Sequence, residues 1–343
     1  MRKTIIFSVS VIFLLLLAAC GGNDGTSEAS NNSNGENMTL RVAGQNNEDH
    51  PNTVALEKMA ETVSEKTDGC IEMEVYPANQ LGDYTLMYEE IGKGTVDMGL
   101  ISTPTHLDSR LEMNILPYLF TNYDQVREHF QLDTFFGETL QEIHNEQNIQ
   151  LLGFFAEGFG GIGTTKEITA PLEYGADKDV LLRVPQIDIT TQNAKQLGFN
   201  TVSVPYAELY TALQSGTAEG WTGGHPLVNY LQYSDIITHY YQYNDFFEAT
   251  HLLVNKDLFD GLSEEDQKAI QEASNVLTEE SFDVAEENEK MYREKMEEEG
   301  IEVYEFTDEE LTTLAEKARE NVWPEAEETI GRELLDKLIE NVQ

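Results

Sequence analysis

The sequence has very few basic residues. Its 343 residues include 21 lysines and arginines against 63 aspartates and glutamates, which gives a formal net charge of -42. Nucleic acids and anionic lipid surfaces attract proteins with a basic face, so this balance argues against both as partners. The acidity is typical of proteins in salty or alkaline surroundings, where a short Debye length weakens self-repulsion. The alternative is that the charge is only the sum of several acidic helices, without any such adaptation.

Cysteine is also scarce, with one residue at position 20 and one at position 70. Arg2 and Lys3 precede an apolar run at residues 5–17, which ends in Leu-Ala-Ala-Cys20. This run is shorter than the ~20 residues that span a bilayer. The small residues after it fit the cleavage site of a secretory signal peptide. The cysteine resembles that of the bacterial lipobox, whose thiol is acylated. We therefore predict a signal peptide at 1–19 and lipidation at Cys20, on the outer face of the cytoplasmic membrane; the alternative is a plain signal peptide.

Apolar residues are nearly absent from residues 21–37, which consist almost entirely of Gly, Asn, Ser, Asp, Glu and Thr. Such a segment buries too little surface to become ordered. We predict that residues 20–37 form the lipidated cysteine and a flexible tether. With Cys20 acylated, Cys70 has no partner for an intrachain disulfide, so folding rests on packing.

The rest of the chain, about 300 residues, is long enough for two lobes. Apolar periodicity and turn residues predict strands at 40–43, 71–76, 98–101, 150–155, 180–184, 201–204 and 251–254, and helices at 51–66, 86–91, 189–197 and 206–214. From Ser263 onward the composition predicts helices, including one at 262–299 that is long enough to lie across both lobes. Pro324 fits the first turn of a last helix. These patterns indicate an α/β fold.

Familiar catalytic and metal motifs are missing: the sequence has no HExxH, CxxC, GxSxG or Walker pattern. Residues 158–163 match GxGxxG after a strand, but a β-branched, proline-stopped segment follows instead of the helix that a dinucleotide site needs. We interpret these glycines as a crossing between lobes. No cofactor or metal is predicted.

Polar and aromatic residues are densest between residues 182 and 230. Arg183 lies in an apolar strand stopped by Pro185, at the sheet edge where open α/β sheets bind ligands, and its planar fork matches a carboxylate. A structural ion pair is the competing interpretation. Tyr206 would stack over a ligand or cap a core, and Trp221, among glycines, suggests a pocket wall.

The chain resembles the solute-binding proteins of TRAP transporters, the dicarboxylate-binding DctP type. The resemblance covers nearly the whole mature chain and rests on six segments in the same order: Gln-Leu-Gly at 80–82, Gly-Thr-Val-Asp-Met at 94–98, Leu-Pro-Tyr-Leu-Phe at 116–120, Leu-Arg-Val-Pro at 182–185, Tyr-Ala-Glu-Leu-Tyr-Thr-Ala-Leu-Gln-Ser-Gly at 206–216 and Glu-Gly-Trp at 219–221.

This resemblance implies a two-lobed periplasmic-binding-protein-like fold with hinge strands and a long helix spanning both lobes. Lobe I would hold residues 38–157 and about 248–285, and lobe II residues 158–247 and about 286–343. The protein would close on an organic acid and deliver it to an ion-gradient-driven TRAP permease. The resemblance assigns ligand contacts to Arg183 as carboxylate clamp, to Tyr206, and, from the first lobe, to Asp83, Gln45 and Thr103.

Two departures from the family pattern indicate a reshaped pocket. Gly161 occupies the place of a second arginine found in many members. Other members also carry an acidic or amide residue, with asparagine before the proline, where this chain has Trp-Thr-Gly-Gly-His-Pro at 221–226. We therefore expect a ligand with one carboxylate and an apolar or hydroxylated body, with Trp221 and His225 in the pocket. The alternatives are an extracellular enzyme that acts on an organic acid, with His225 as base, and a ligand-sensing lipoprotein.

Overall fold

A computed structural model describes residues 37–342 of the chain. The predicted signal peptide, Cys20 and nearly all of the tether lie outside the described residues. Within residues 37–342, none of the helices combines the length and the apolar character needed to cross a membrane.

Eleven strands of the described chain form two sheets. They are β1 (Met38–Gly44), β2 (Ile71–Tyr76), β3 (Met98–Ile101), β4 (Ile149–Phe159), β5 (Gly161–Thr164), β6 (Leu181–Val184), β7 (Asn200–Ser203), β8 (Gly220–Gly224), β9 (His239–Gln242), β10 (Phe247–Asn255) and β11 (Glu302–Glu305). The first sheet has the order β2-β1-β3-β10-β4, and the second β11-β9-β5-β8-β6-β7. In the first sheet, β1 pairs in parallel with β2 and β3, while β10 is antiparallel to β3 and β4.

Helices cover the faces of both sheets. They are α1 (Pro51–Lys66), α2 (Tyr84–Lys93), α3 (Tyr123–His129), α4 (Phe135–Glu146), α5 (Asp188–Leu197), α6 (Leu209–Ser215), α7 (Pro226–Val228), α8 (Lys256–Gly261), α9 (Glu264–Glu298), α10 (Asp308–Asn321), α11 (Trp323–Ile330) and α12 (Arg332–Val342). Short 3-10 turns lie at Ser109–Ile115 and Tyr206–Glu208, and a π-helical turn lies at Asn229–Tyr233.

Two strands and one helix connect the lobes that these sheets define. The chain leaves the first sheet at Phe159 and enters the second at Gly161, and it returns through β10, where Phe247 pairs with Phe159. The 35-residue helix α9 packs on β4 and α1 of the first lobe and on α7 and β11 of the second. The predicted two-lobed α/β fold with hinge strands and a spanning helix is therefore confirmed.

Helix ends follow the capping residues in the sequence. Ser263 caps α9, and Thr307 with Glu310 forms a complete capping box at the start of α10. Pro324 lies in the first turn of α11 as predicted, but α11 is not the last helix. Gly331, with φ of 85°, ends α11 and lets the chain continue into α12.

The C-terminal helices pack on both lobes. Helix α10 contacts α5, whereas α11 contacts the 3-10 turn at Ser109–Ile115 and α12 contacts α4. Apolar residues of these helices join one large core that includes Leu111, Leu140 and Ile189. The division into lobes at particular residues stays a prediction.

Candidate functional site

A cavity of about 130 Å³ lies between the two lobes. Its walls come from loops that follow β1, β3, β6 and β8 and from the start of β10. Because β1 and β3 are parallel, and β6 is parallel to β7 and β8, the carboxyl ends of these strands meet at two facing edges. Six of the seven predicted ligand contacts line the cavity: Gln45, Thr103, Arg183, Tyr206, Trp221 and His225.

Arg183 lies near the carboxyl end of β6, opposite Val202 of β7 and Trp221 of β8. Its residue surface is only 3 % exposed, and its Nε donates to the Val204 carbonyl at 2.8 Å. Among the described residues, no carboxylate lies within ion-pair distance of Arg183. Burial lowers the pKa of this guanidinium from its usual value. The cavity therefore contains a buried positive charge that has no ion-pair partner in the part of the chain that the structure describes.

An aromatic wall stands beside this guanidinium. The Trp221 ring lies 4.8 Å from the Tyr233 ring and 6.4 Å from the Tyr206 ring, measured between centroids, and its Nε1 donates to Asn229 Oδ1 at 3.0 Å. A Cβ atom added at Gly224 would collide with the Trp221 ring. The glycines after Trp221 thus allow a tryptophan to be buried in a short strand at the cavity.

The opposite wall, from the first lobe, is polar. Gln45 follows β1 and Ser102 follows β3; Gln45 Nε2 donates to Ser102 Oγ at 3.0 Å, and the Ser102 amide donates to Gln45 Oε1 at 2.8 Å. Thr103 Oγ1 is 3.5 Å from Asn114 Nδ2. Glu248, half-buried on β10, accepts from Ser102 Oγ at 3.4 Å, and burial raises its pKa to about 7. This wall offers both donors and acceptors to a ligand.

Asp83 does not line the cavity. Its carboxylate accepts a hydrogen bond from the Leu86 amide at 3.0 Å and caps α2. The next residue, Tyr84, lines the cavity instead. Local helix-capping chemistry accounts for the aspartate at this position without any ligand.

A buried cluster of His50, Glu157 and His225 adjoins the cavity, which Glu157 and His225 also line. Glu157 Oε2 lies 3.8 Å from His50 Nε2 and 3.7 Å from His225 Nε2. Burial lowers the pKa of His50 to about 4 and that of His225 to about 3, and it raises the pKa of Glu157 to about 8. A histidine with so low a pKa is neutral near pH 7 and is available as a hydrogen-bond acceptor or a ligand.

Sequence reasoning missed several cavity residues. The chief ones are Asn46, Tyr84, Ser102, Asn114, Glu157 and Glu248. Glu157 had a usable signal, since a carboxylate buried in the apolar strand β4 destabilises the fold unless it has a partner. Glu248 follows two phenylalanines at the start of β10 and gave a similar signal. Asn114 sits in a 3-10 turn and had none.

Gly161, the expected place of a second arginine, leaves no room for a side chain. A Cβ atom there would lie 2.7 Å from the Tyr241 carbonyl oxygen and would collide with the Tyr240 hydroxyl. Among the described residues that line the cavity, Arg183 is the only arginine or lysine.

Two lobes, two hinge strands, a spanning helix and an interlobe cavity with a buried cation define a solute-binding protein of the periplasmic type. Residues 42–329 match the model of the family "Bacterial extracellular solute-binding protein, family 7" (DctP). The chain belongs to this family, whose members bind substrates for transporters outside the cytoplasm.

Similar proteins include characterised relatives and solved structures. The 2,3-diketo-L-gulonate-binding periplasmic protein YiaO of Escherichia coli is 25% identical over 317 residues, which cover 89% of this chain and 88% of that protein. The sugar acid binding protein DctPAm of Advenella mimigardefordensis, in complex with galactonate, superposes with a TM-score of 0.80 at 22% identity and covers 90% of this chain and 98% of that one. A TRAP solute-binding protein of Chromohalobacter salexigens with bound D-glucuronate gives a TM-score of 0.79 at 23% identity and covers 89% of this chain and 99% of that one.

Proposed function

We propose that the protein captures an organic acid with one carboxylate and several hydroxyl groups, and delivers it to a TRAP-type permease driven by an ion gradient. The observation that carries this proposal is Arg183, a buried guanidinium at the cavity that has no ion-pair partner among the described residues. A ligand carboxylate would supply the missing counter-charge through two charge-assisted hydrogen bonds.

A single carboxylate agrees with the charges of the cavity walls. Arg183 is the one strong cation among the lining residues that the structure describes, while Glu248 and Glu157 lie across the cavity. A second ligand carboxylate on that side would find no cation among the described lining residues, and it would be buried without a counter-charge. Hydroxyl groups suit the polar wall of Gln45, Ser102 and Glu248 because they both donate and accept. Three similar proteins bind acids with one carboxylate and several hydroxyl groups: 2,3-diketo-L-gulonate for YiaO, galactonate for DctPAm and D-glucuronate for the Chromohalobacter protein.

Closure of the lobes would be the mechanism of capture. Arg183, Tyr206 and Trp221 belong to the second lobe, and Gln45 and Ser102 belong to the first. A ligand that contacts both walls binds the closed form better than the open form and shifts the equilibrium toward it. The lipobox-like segment at Cys20 supports a lipid anchor that would keep the protein at the outer face of the cytoplasmic membrane, near the permease.

The test is the unfolding midpoint of the purified protein against matched mono- and dicarboxylates, with recovery of each acid after incubation. We expect D-glucuronate or a hexonate to raise the midpoint and to be recovered unchanged, because selective binding to the native state stabilises it. Stabilisation by short dicarboxylates alone would contradict the ligand class. A chemically altered acid would favour an enzyme.

A further inference from the structure

We propose that His50, Glu157 and His225 form a binding site for a divalent transition-metal ion of the zinc type, which joins the two lobes. His50 precedes α1 and Glu157 lies on β4, both in the first lobe, whereas His225 follows β8 in the second. This inference does not depend on the proposed organic-acid ligand.

The distances suit coordination after a small contraction. One ligating atom from each side chain lies within 4.8 Å of the other two, and the two histidine Nε2 atoms are 3.8 and 3.7 Å from Glu157 Oε2. Tetrahedral ligands held about 2.0–2.2 Å from zinc lie roughly 3.3–3.6 Å from one another. Side-chain movements of about an ångström would therefore close the three atoms around an ion.

The cluster is buried, and two of its facing atoms have no hydrogen-bond partner in the described chain. His50 is 1 %, His225 3 % and Glu157 9 % exposed. Among the described residues, neither His50 Nε2 nor Glu157 Oε2 has a hydrogen-bond partner. Buried polar atoms without partners are costly, and here two of them face the same point.

Neighbouring residues already hold the carboxylate in place. Asn52 Nδ2 donates to Glu157 Oε1 at 2.9 Å and Thr250 Oγ1 donates to it at 3.1 Å, so Oε2 is left for an ion. Such outer contacts orient metal ligands. Two imidazoles and one carboxylate suit zinc, and the cavity lined by Glu157 and His225 offers an entry path and room for a water as fourth ligand.

Coordination by His50 has one local cost. The Asn52 amide donates to His50 Nδ1 at 3.2 Å, so the neutral ring carries its proton on Nε2. Binding through Nε2 moves that proton to Nδ1 and breaks this capping bond at the start of α1. An asparagine at position 50 would keep a cap without a metal ligand, since asparagine is a favoured N-cap residue.

The experiment is titration of chelator-treated, untagged protein with Zn²⁺ and Co²⁺ in the absence of any organic acid. The variants are His50→Asn and, as a matched control, His106→Asn, because His106 is exposed and outside the cluster. We expect wild type and the control to bind one ion per chain and to give the visible absorption of tetrahedral Co²⁺. His50→Asn should weaken binding at least about tenfold.

Absence of stoichiometric binding to wild type would overturn the proposal, as would equal binding by His50→Asn. If His50→Asn does not fold, Glu157→Gln replaces it, since its amide oxygen still accepts from Asn52 and Thr250. Failure of this site leaves the organic-acid proposal intact, because no acid is present in the titration.

Discussion

Replacing Arg183 by methionine should have two effects of opposite sign. Without ligand, the variant should be more stable than wild type, because a 3 % exposed guanidinium without an ion-pair partner among the described residues is removed. Burial of an unpaired ion costs several kcal/mol, whereas the lost hydrogen bond to Val204 is worth about 1.5–3 kcal/mol. We therefore expect a net gain on the order of 1 kcal/mol in the free energy of unfolding.

The same substitution should abolish useful ligand binding. Two charge-assisted hydrogen bonds of about 1.5–3 kcal/mol each are lost, so Kd should rise roughly 10²- to 10⁴-fold. Denaturant unfolding measures the first effect, and calorimetric titration with the best acid of the panel measures the second. Arg41→Met, at an exposed arginine of β1, is the matched control and should leave ligand affinity unchanged. A destabilised Arg183→Met that still binds the acid would show that Arg183 is structural, and would refute the reasoning.

Three further predictions concern pH, packing and salt. Burial raises the pKa of Asp245 from 3.8 to about 7, so between these values the native state holds a proton that the unfolded state has lost. The contribution of Asp245 to the free energy of unfolding is therefore fully present below about pH 4 and is lost as pH rises to about 7. The stability of Asp245→Asn relative to wild type should consequently increase by about 2–3 kcal/mol between about pH 5 and about pH 8 in chemical denaturation, and an unchanged difference would contradict this. Gly161→Ala should lower the free energy of unfolding by about 1–3 kcal/mol, because its Cβ would meet Tyr240 and the Tyr241 carbonyl; a neutral result would show that this crossing is loosely packed. The association rate of an anionic ligand, followed by stopped flow, should rise with ionic strength from low values because the chain carries a formal charge of -42; a falling rate would show that local positive potential at the cavity dominates.

Regular elements with strong periodic signals were predictable from the sequence. Helix α1 and strands β2 and β3 have the predicted bounds, since their apolar spacing and flanking Pro or Gly residues are unambiguous. Strands β5 and β8 were missed because Gly-Ile-Gly-Thr and Gly-Trp-Thr-Gly-Gly contain too few β-branched residues to indicate strands. Their burial comes from neighbours in the second sheet rather than from local preference.

The site was only half predictable for a related reason. Arg183 lies in β6, Tyr206 follows β7 and Trp221 lies in β8. These strands come one after another along the chain in one lobe, so the convergence of the three residues could be inferred from parallel-strand topology. Glu157 and Glu248 come from paired hinge strands far apart in sequence, and their approach depends on the β4–β10 pairing, in which Glu248 lies opposite Gly158. His50 meets Glu157 only because α1 begins beside β4, which no local pattern indicates.

The central claim is that the cavity binds its ligand through a carboxylate. Calorimetric titration of wild-type protein with D-glucuronate and with D-glucose, its neutral counterpart of the same ring and nearly the same hydroxyl pattern, tests this directly. We predict saturable binding of the acid and an affinity for the neutral sugar that is weaker by about 10²-fold or more. Equal affinities for the two sugars would contradict the account.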